Sequence, residues 1–258
     1  MTLYVRSSGP DAAPTLLFLH GGGVGGWSWE PVVERLPRYH CLVPDLPEQG
    51  RSLVEGPFSI SDATRRMVAL IDDRAHSGHA HLIGISLGGQ IALDLLSVAP
   101  NIVDRAVISG TLVRPIPGRR LIDLLARAYM PFRNIDFLVR ANQRSQGVPN
   151  RYLPQFREDT RNLTAAGFAR ILSENASFHI PYGLRFVDVP TLVLVGEREL
   201  GATRQSARDI VATLPNAQGR IAAGARHNWA LEDPALFAET VQAWVENRPL
   251  PSGLLPLE

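Results

Sequence analysis

Short apolar runs alternate with stretches of helical periodicity along most of the chain. Thr15-Leu16-Leu17-Phe18-Leu19, His40-Cys41-Leu42-Val43-Pro44, His81-Leu82-Ile83-Gly84-Ile85 and Pro190-Thr191-Leu192-Val193-Leu194-Val195 are apolar without polar alternation, as strands buried on both faces are. Residues 28–36, 61–74, 87–99, 203–214 and 234–245 instead repeat their apolar positions at helical spacing. The alternation predicts an α/β fold with a mostly parallel central sheet flanked by helices on both faces. Between about Thr111 and Leu184 the rhythm breaks. Helices are expected there over 121–129, 137–142 and 167–176, separated by joints that contain proline and glycine. Residues 249–258, with prolines and scattered leucines, read as a tail.

Within that pattern one junction carries chemistry. Gly84-Ile85-Ser86-Leu87-Gly88-Gly89 turns an apolar strand into a helix through a single serine with small residues on both sides. A serine on so sharp a turn is held in an unfavourable backbone conformation that lifts its hydroxyl above the sheet edge, and bulky neighbours would not fit. The next residue, Leu87, begins the helix, where its N–H has no intrahelical acceptor and can donate to a developing oxyanion. A second donor is expected from His20-Gly21-Gly22-Gly23, at the end of an upstream strand: Gly22 N–H first, Gly23 N–H next.

Two partners are needed to activate a serine, a base and an acid that orients it. Gly196-Glu197-Arg198-Glu199 sets two carboxylates just past a strand's C-terminal end, where sites gather in open α/β sheets, and His227 lies in a loop before a helix. Ser86, a carboxylate and His227 then follow the chain order nucleophile, acid, base. A histidine base works only unprotonated, so activity is expected to rise with pH through the imidazole range.

These pieces, together with Asp45-Leu46-Pro47-Glu48-Gln49-Gly50-Arg51-Ser52, resemble the α/β-hydrolase-fold enzymes in order and spacing over nearly the whole chain. The resemblance implies a Ser86–His227–Glu199 triad, an oxyanion hole from Gly22 and Leu87, and a helical cap inserted after the sixth strand. It also implies the division into a core of residues 1–110 and 185–248, a cap of residues 111–184 and the tail. The family's acid is usually aspartate at the position of Glu199, with Glu197 here as the fallback. Glu48-Gln49 departs from the glycine and histidine often found there and is expected to shape the entrance. His20 is expected to order the oxyanion loop, and Trp27, Tyr129, Met130, Phe132 and Trp229 are candidate substrate contacts. Arg114, Arg119, Arg120, Arg133 and Arg140 in the cap could attract an acidic substrate such as a carboxylate-bearing ester, but alongside Asp123, Asp136, Glu158 and Asp159 they read first as a solvated face.

Composition narrows the class. With 258 residues, 45% of them hydrophobic, the chain can bury a large core. A net charge of +1 without a basic stripe gives no reason to expect nucleic acid or an anionic membrane as partner. Cys41 is the single cysteine, expected to be a small buried hydrophobe. No run of apolar residues is long enough to span a bilayer and Met1 to Arg6 lack a signal-peptide pattern, so a cytoplasmic location is expected, as a monomer or homodimer. Neither cofactor nor metal is expected; the seven histidines are not joined by ligand-spaced cysteines or carboxylates. Every one of the 26 basic residues is arginine. Schiff-base chemistry is thereby closed, and so is the lysine that hydroxynitrile lyases of this fold use.

The expected activity is hydrolysis of a small to medium, largely apolar carboxylic ester or lactone, acting on a small molecule. Carbon–carbon hydrolysis of ring-cleavage products is the second reading, prompted by the triple-glycine loop and by a tryptophan near His227, although Asn228 intervenes before Trp229. A slow-turnover ligand sensor on the same fold is the third.

Overall fold

A computed structural model describes residues 3–116 and 119–257. Met1, Thr2, Pro117, Gly118 and Glu258 lie outside the described residues. Eight strands form one sheet: β1 Val5–Ser8, β2 Thr15–Leu19, β3 His40–Pro44, β4 Ala80–Ile85, β5 Val103–Ser109, β6 Thr191–Gly196, β7 Ala217–Ala222 and β8 Leu254–Pro256, in the order β1-β3-β2-β4-β5-β6-β7-β8. The interior pairings are parallel. Only the two margins, β1 on β3 and β8 on β7, are antiparallel.

The absence of alternation in the interior strands has a direct cause. Leu17 and Leu19 of β2 enter one apolar cluster and Leu16 and Phe18 the other, so both faces of the strand are covered. The first face packs beneath α2 Ile60–Arg74, α3 Leu87–Val98 and α8 Gly201–Thr213, through Met67, Ile91 and Ile210 among others. The second packs beneath α1 Glu30–Val33, α9 Trp229–Glu232 and α10 Pro234–Val245, where Trp29, Phe237 and Trp229 form a chain of tilted rings. Ser59 starts α2 by accepting the Asp62 N–H at 3.1 Å, and Asp233 starts α10 by accepting the Leu236 N–H at 3.0 Å. Cys41 is buried, and burial pushes its thiol up to about 12. No described helix is long and apolar enough to cross a membrane.

Between β5 and β6 the chain forms α4 Arg119–Tyr129, α5 Asp136–Ser145, α6 Leu153–Asn162 and α7 Ala165–Ser177. Three points differ from the sequence reading. This helical segment follows the fifth strand rather than the sixth, since a single described strand, β1, precedes Thr15. Helix α6 was not expected: its residues are largely polar and Pro154 reads as a breaker, yet a proline in the first helical turn loses no hydrogen bond. Part of the expected tail over 249–258 is built into the sheet, since β8 pairs Leu254, Leu255 and Pro256 with Ala222, Ile221 and Arg220, and of these three only Leu254 is buried.

Several polar ties hold the helical segment to the sheet layers. Arg170 of α7 makes a two-point ion pair with Glu48, and Glu174 accepts the Ile60 N–H at 2.9 Å. Gln90 Nε2 donates to Leu112 O at 2.8 Å and to Asn175 O at 3.0 Å. Asp159 of α6 accepts the Gly25 N–H at 2.8 Å and the Trp27 indole N–H at 2.6 Å. Glu48 and Gln49, in the loop expected at the entrance, brace it through Arg170, the Phe58 N–H and the Gly23 N–H.

Candidate active site

The turn between β4 and α3 has the strain its sequence implies. Ser86 sits at φ 54° and ψ −117°, a region that non-glycine residues rarely adopt. Its backbone is pinned on both sides, with its N–H donating to Ser109 O at 2.9 Å and its carbonyl accepting from Gln90 N–H at 3.1 Å. The neighbouring glycines are there for want of space. A Cβ on Gly84 would lie 2.6 Å from Gly88 O, one on Gly88 would collide with the Leu19 carbonyl, and one on Gly89 with the Thr111 hydroxyl.

His227 and Glu199 come from the loops after β7 and β6. The His227 Nδ1 atom lies 2.8 Å from Glu199 Oε2, while Glu199 Oε1 accepts the Gly196 N–H at 3.1 Å. Glu199 is buried, and its carboxylate therefore holds Nδ1–H and leaves Nε2 as the lone-pair nitrogen of the neutral ring. Glu197 points elsewhere, accepting the Gly224 N–H at 2.6 Å near the surface. Gly110, at φ 58°, makes room for this pair: a Cβ there would come within 3.0 Å of both Glu199 Oε1 and His227 Nδ1.

The loop after β2 is set by His20. Leu46 N–H donates to His20 Nε2 at 2.9 Å, so the ring proton is on Nδ1, which donates to Gly21 O at 2.8 Å. Full burial lowers the His20 pKa despite the nearby Asp45, which keeps the ring neutral in this bridging role. Gly23 N–H is spent on Gln49 Oε1 at 2.7 Å, whereas Gly22 N–H and Leu87 N–H have no acceptor among the described residues. Of the two glycines considered for an oxyanion donor, Gly22 is the one with a free N–H. Gln49, singled out in the sequence only as part of the Glu48-Gln49 departure, takes part here by holding the Gly23 N–H.

Ser86, His227 and Gly22 face one cavity of about 260 Å³, roofed by residues of α4 to α7. Tyr129 and Met130 line it. Trp27, Phe132 and Trp229 do not, and each has a physical reason. The Trp27 indole is turned to Asp159 and Tyr152. Phe132 is exposed on the outside of the helical segment. Trp229 is in the core, its indole N–H donating to Ser109 Oγ at 3.0 Å and its ring 4.5 Å from that of Phe237. Nearness to His227 in sequence could not give its direction. Arg133, one of the arginines of the helical segment, also lines the cavity, and Asn142, Gln146 and Asn175 join it without having been singled out from sequence.

The sequence profile of the alpha/beta hydrolase family matches residues 16–240. An AB hydrolase superfamily protein of Gibberella zeae is 29% identical over 98% of this chain and 86% of its own length. The carboxylesterase YbfK of Bacillus subtilis is 23% identical, covering 94% of this chain and 83% of its own. Among solved structures, the enol-lactonase from Burkholderia xenovorans superposes with a TM-score of 0.81 at 21% identity, over 95% of this chain and 96% of that one.

Proposed function

Because the chain belongs to the alpha/beta hydrolase family, we propose that it is a serine hydrolase cleaving a small to medium, largely apolar carboxylic ester or lactone through an acyl-serine on Ser86. The observation that carries this reading is the opening of Ser86 and His227 onto one cavity while Glu199 holds the far side of the His227 ring at 2.8 Å. In this mechanism His227 Nε2 takes the Ser86 proton as Oγ attacks the carbonyl carbon. The negative charge that develops on the carbonyl oxygen is received by the N–H groups of Gly22 and Leu87. Collapse expels the alkoxide, protonated by His227, and water activated by the same ring then releases the acid. Glu199 stabilises the transient imidazolium and fixes its tautomer. Residues 111–184 act as the cap that shapes the acyl pocket, with Tyr129 and Met130 in contact with substrate.

The carbon–carbon reading leaned on a tryptophan beside His227, and Trp229 is buried away from the cavity. The test is turnover of p-nitrophenyl esters of graded acyl length, with fluorophosphonate labelling in parallel. Both are expected in the wild type and both are lost in Ser86→Ala. Labelling without turnover would favour a ligand sensor, and the absence of both would sink the hydrolase reading.

A further inference from the structure

Arg133 stands out among the arginines of the helical segment. Arg140 and Arg157 pair with Asp136, and Arg170 pairs with Glu48. Arg133 lines the cavity of Ser86 and meets no carboxylate among the described residues. Its Nε, Nη1 and Nη2 donate to the carbonyls of Thr160 at 3.2 Å, Met130 at 2.9 Å and Arg161 at 3.1 Å. Thr160 and Arg161 lie in the last turn of α6, where carbonyls lack helical partners, so the guanidinium closes that helix end. Capping accounts for three of the five guanidinium N–H donors and leaves the positive charge uncompensated. Among the described residues the lining of the cavity contains one permanent cation, Arg133, and no aspartate or glutamate.

A second group in the same cavity is also incomplete. The Tyr129 hydroxyl is buried and has no hydrogen-bond partner among the described residues, although its ring is fixed against Phe168 at 5.9 Å. A buried phenol without an acceptor is costly, and such a group in a binding cavity points to something that fills it. Burial raises the Tyr129 pKa while the Arg133 charge opposes that rise, so the phenol keeps its proton and remains a donor close enough to feel the guanidinium.

We infer that the substrate carries a free carboxylate in addition to its scissile ester or lactone bond, and that Arg133 and the Tyr129 hydroxyl receive it. This rests on the reading of Ser86 as the nucleophile of that cavity. Charge-assisted bonds to a carboxylate would complete both groups at once, and the remaining wall, with Met130, Leu163, Ile171 and Leu172, suits a short aliphatic chain. Of the two sequence readings of Arg133, a solvated face and an attractor of acidic substrate, the cavity thereby favours the second.

The test uses monomethyl succinate against dimethyl succinate, which has similar shape but no charge. Binding is measured by calorimetry to the full-length Ser86→Ala protein, so hydrolysis does not interfere. The monoester is expected to bind at least about tenfold more tightly. That preference should disappear in Ser86→Ala/Arg133→Gln and weaken in Ser86→Ala/Tyr129→Phe. Should the glutamine variant fail to fold, Ser86→Ala/Arg133→Lys, which keeps a charge, is expected to retain part of the preference. Equal or tighter binding of the diester, no binding of either, or a preference indifferent to residue 133 would each overturn the inference. Wild-type turnover of the same two esters separates the two readings. Hydrolysis without preference for the acid sinks only the carboxylate site, whereas a charge-dependent binding preference without hydrolysis sinks only the serine hydrolase.

Discussion

Glu199 reaches two partners at once, His227 Nδ1 through one carboxylate oxygen and the Gly196 N–H through the other. The second contact anchors the acid to the end of β6, so its longer side chain, relative to the aspartate usual in the family, is still fixed in place. Glu199→Gln keeps the shape and removes the charge, and allows the amide to turn its NH2 toward the ring, which would demand the wrong tautomer. Loss of about 10²–10⁴ in kcat on a p-nitrophenyl ester is expected. Glu197→Gln, whose contact is the surface Gly224 N–H, should stay within about threefold of wild type. A larger loss at Glu197 than at Glu199 would misplace the acid.

The backbone strain at Ser86 makes a stability prediction opposite in sign to its effect on activity. A non-glycine residue in such a region costs on the order of 1–3 kcal/mol, and glycine returns about 0.5–1 kcal/mol of that through its unfolded-state freedom. Ser86→Gly should therefore be about 1 kcal/mol more stable in urea unfolding while losing hydrolysis. A variant less stable than wild type would mean the turn is relaxed by contacts of the serine side chain.

Glycines differ sharply in what they tolerate. Gly88→Ala drives a methyl into the Leu19 carbonyl and should cost about 2–3 kcal/mol or prevent folding. Gly201→Ala, at the start of α8 with nothing within 4 Å of the new Cβ, should be neutral or stabilising by up to about 1 kcal/mol. Thermal melts of the two proteins side by side check this, and equal effects would contradict the tight turn.

Asp159 gives a pH prediction. Burial raises its carboxyl to about 6, against the lowering effect of its bonds from Trp27 and Gly25. The folded chain thus holds this proton more tightly than the unfolded one. The associated stability is complete below about pH 4 and is lost as pH rises through 6, a change of about 3 kcal/mol. Asp159→Asn has no such proton, so its stability relative to wild type should improve between pH 4.5 and pH 7.5. Parallel pH dependences in urea titrations of the two would show that Asp159 does not titrate in this window.

What could be read from sequence was local. Gly84 to Gly89 declares a strand, a turn and a helix within a few residues, and the buried strands announce themselves by unbroken apolar runs. What could not be read depends on direction or on distant partners. Trp27 and Trp229 lie next to site loops in sequence, but the backbone turns their rings to Asp159 and to Ser109. Arg133 looks like any helix-surface charge until carbonyls 27 and 28 residues further along are brought to it. Strand β8 has one buried residue and owes its place to hydrogen bonds with β7, which leave no trace in an apolar pattern.

The crowding around the turn at Ser86 also has a meaning for how such a chain can change. Gly84, Gly88 and Gly89 admit no side chain, while the residue they surround is pinned only through its main chain and carries its side chain outward into the cavity. The turn behaves as a socket: its shape is fixed by its neighbours, and its reactivity by the one group plugged into it. Exchange of that group for a thiol or a carboxylate leaves the socket intact, so new chemistry is one substitution away, whereas a new geometry would require rebuilding the junction of sheet and helix.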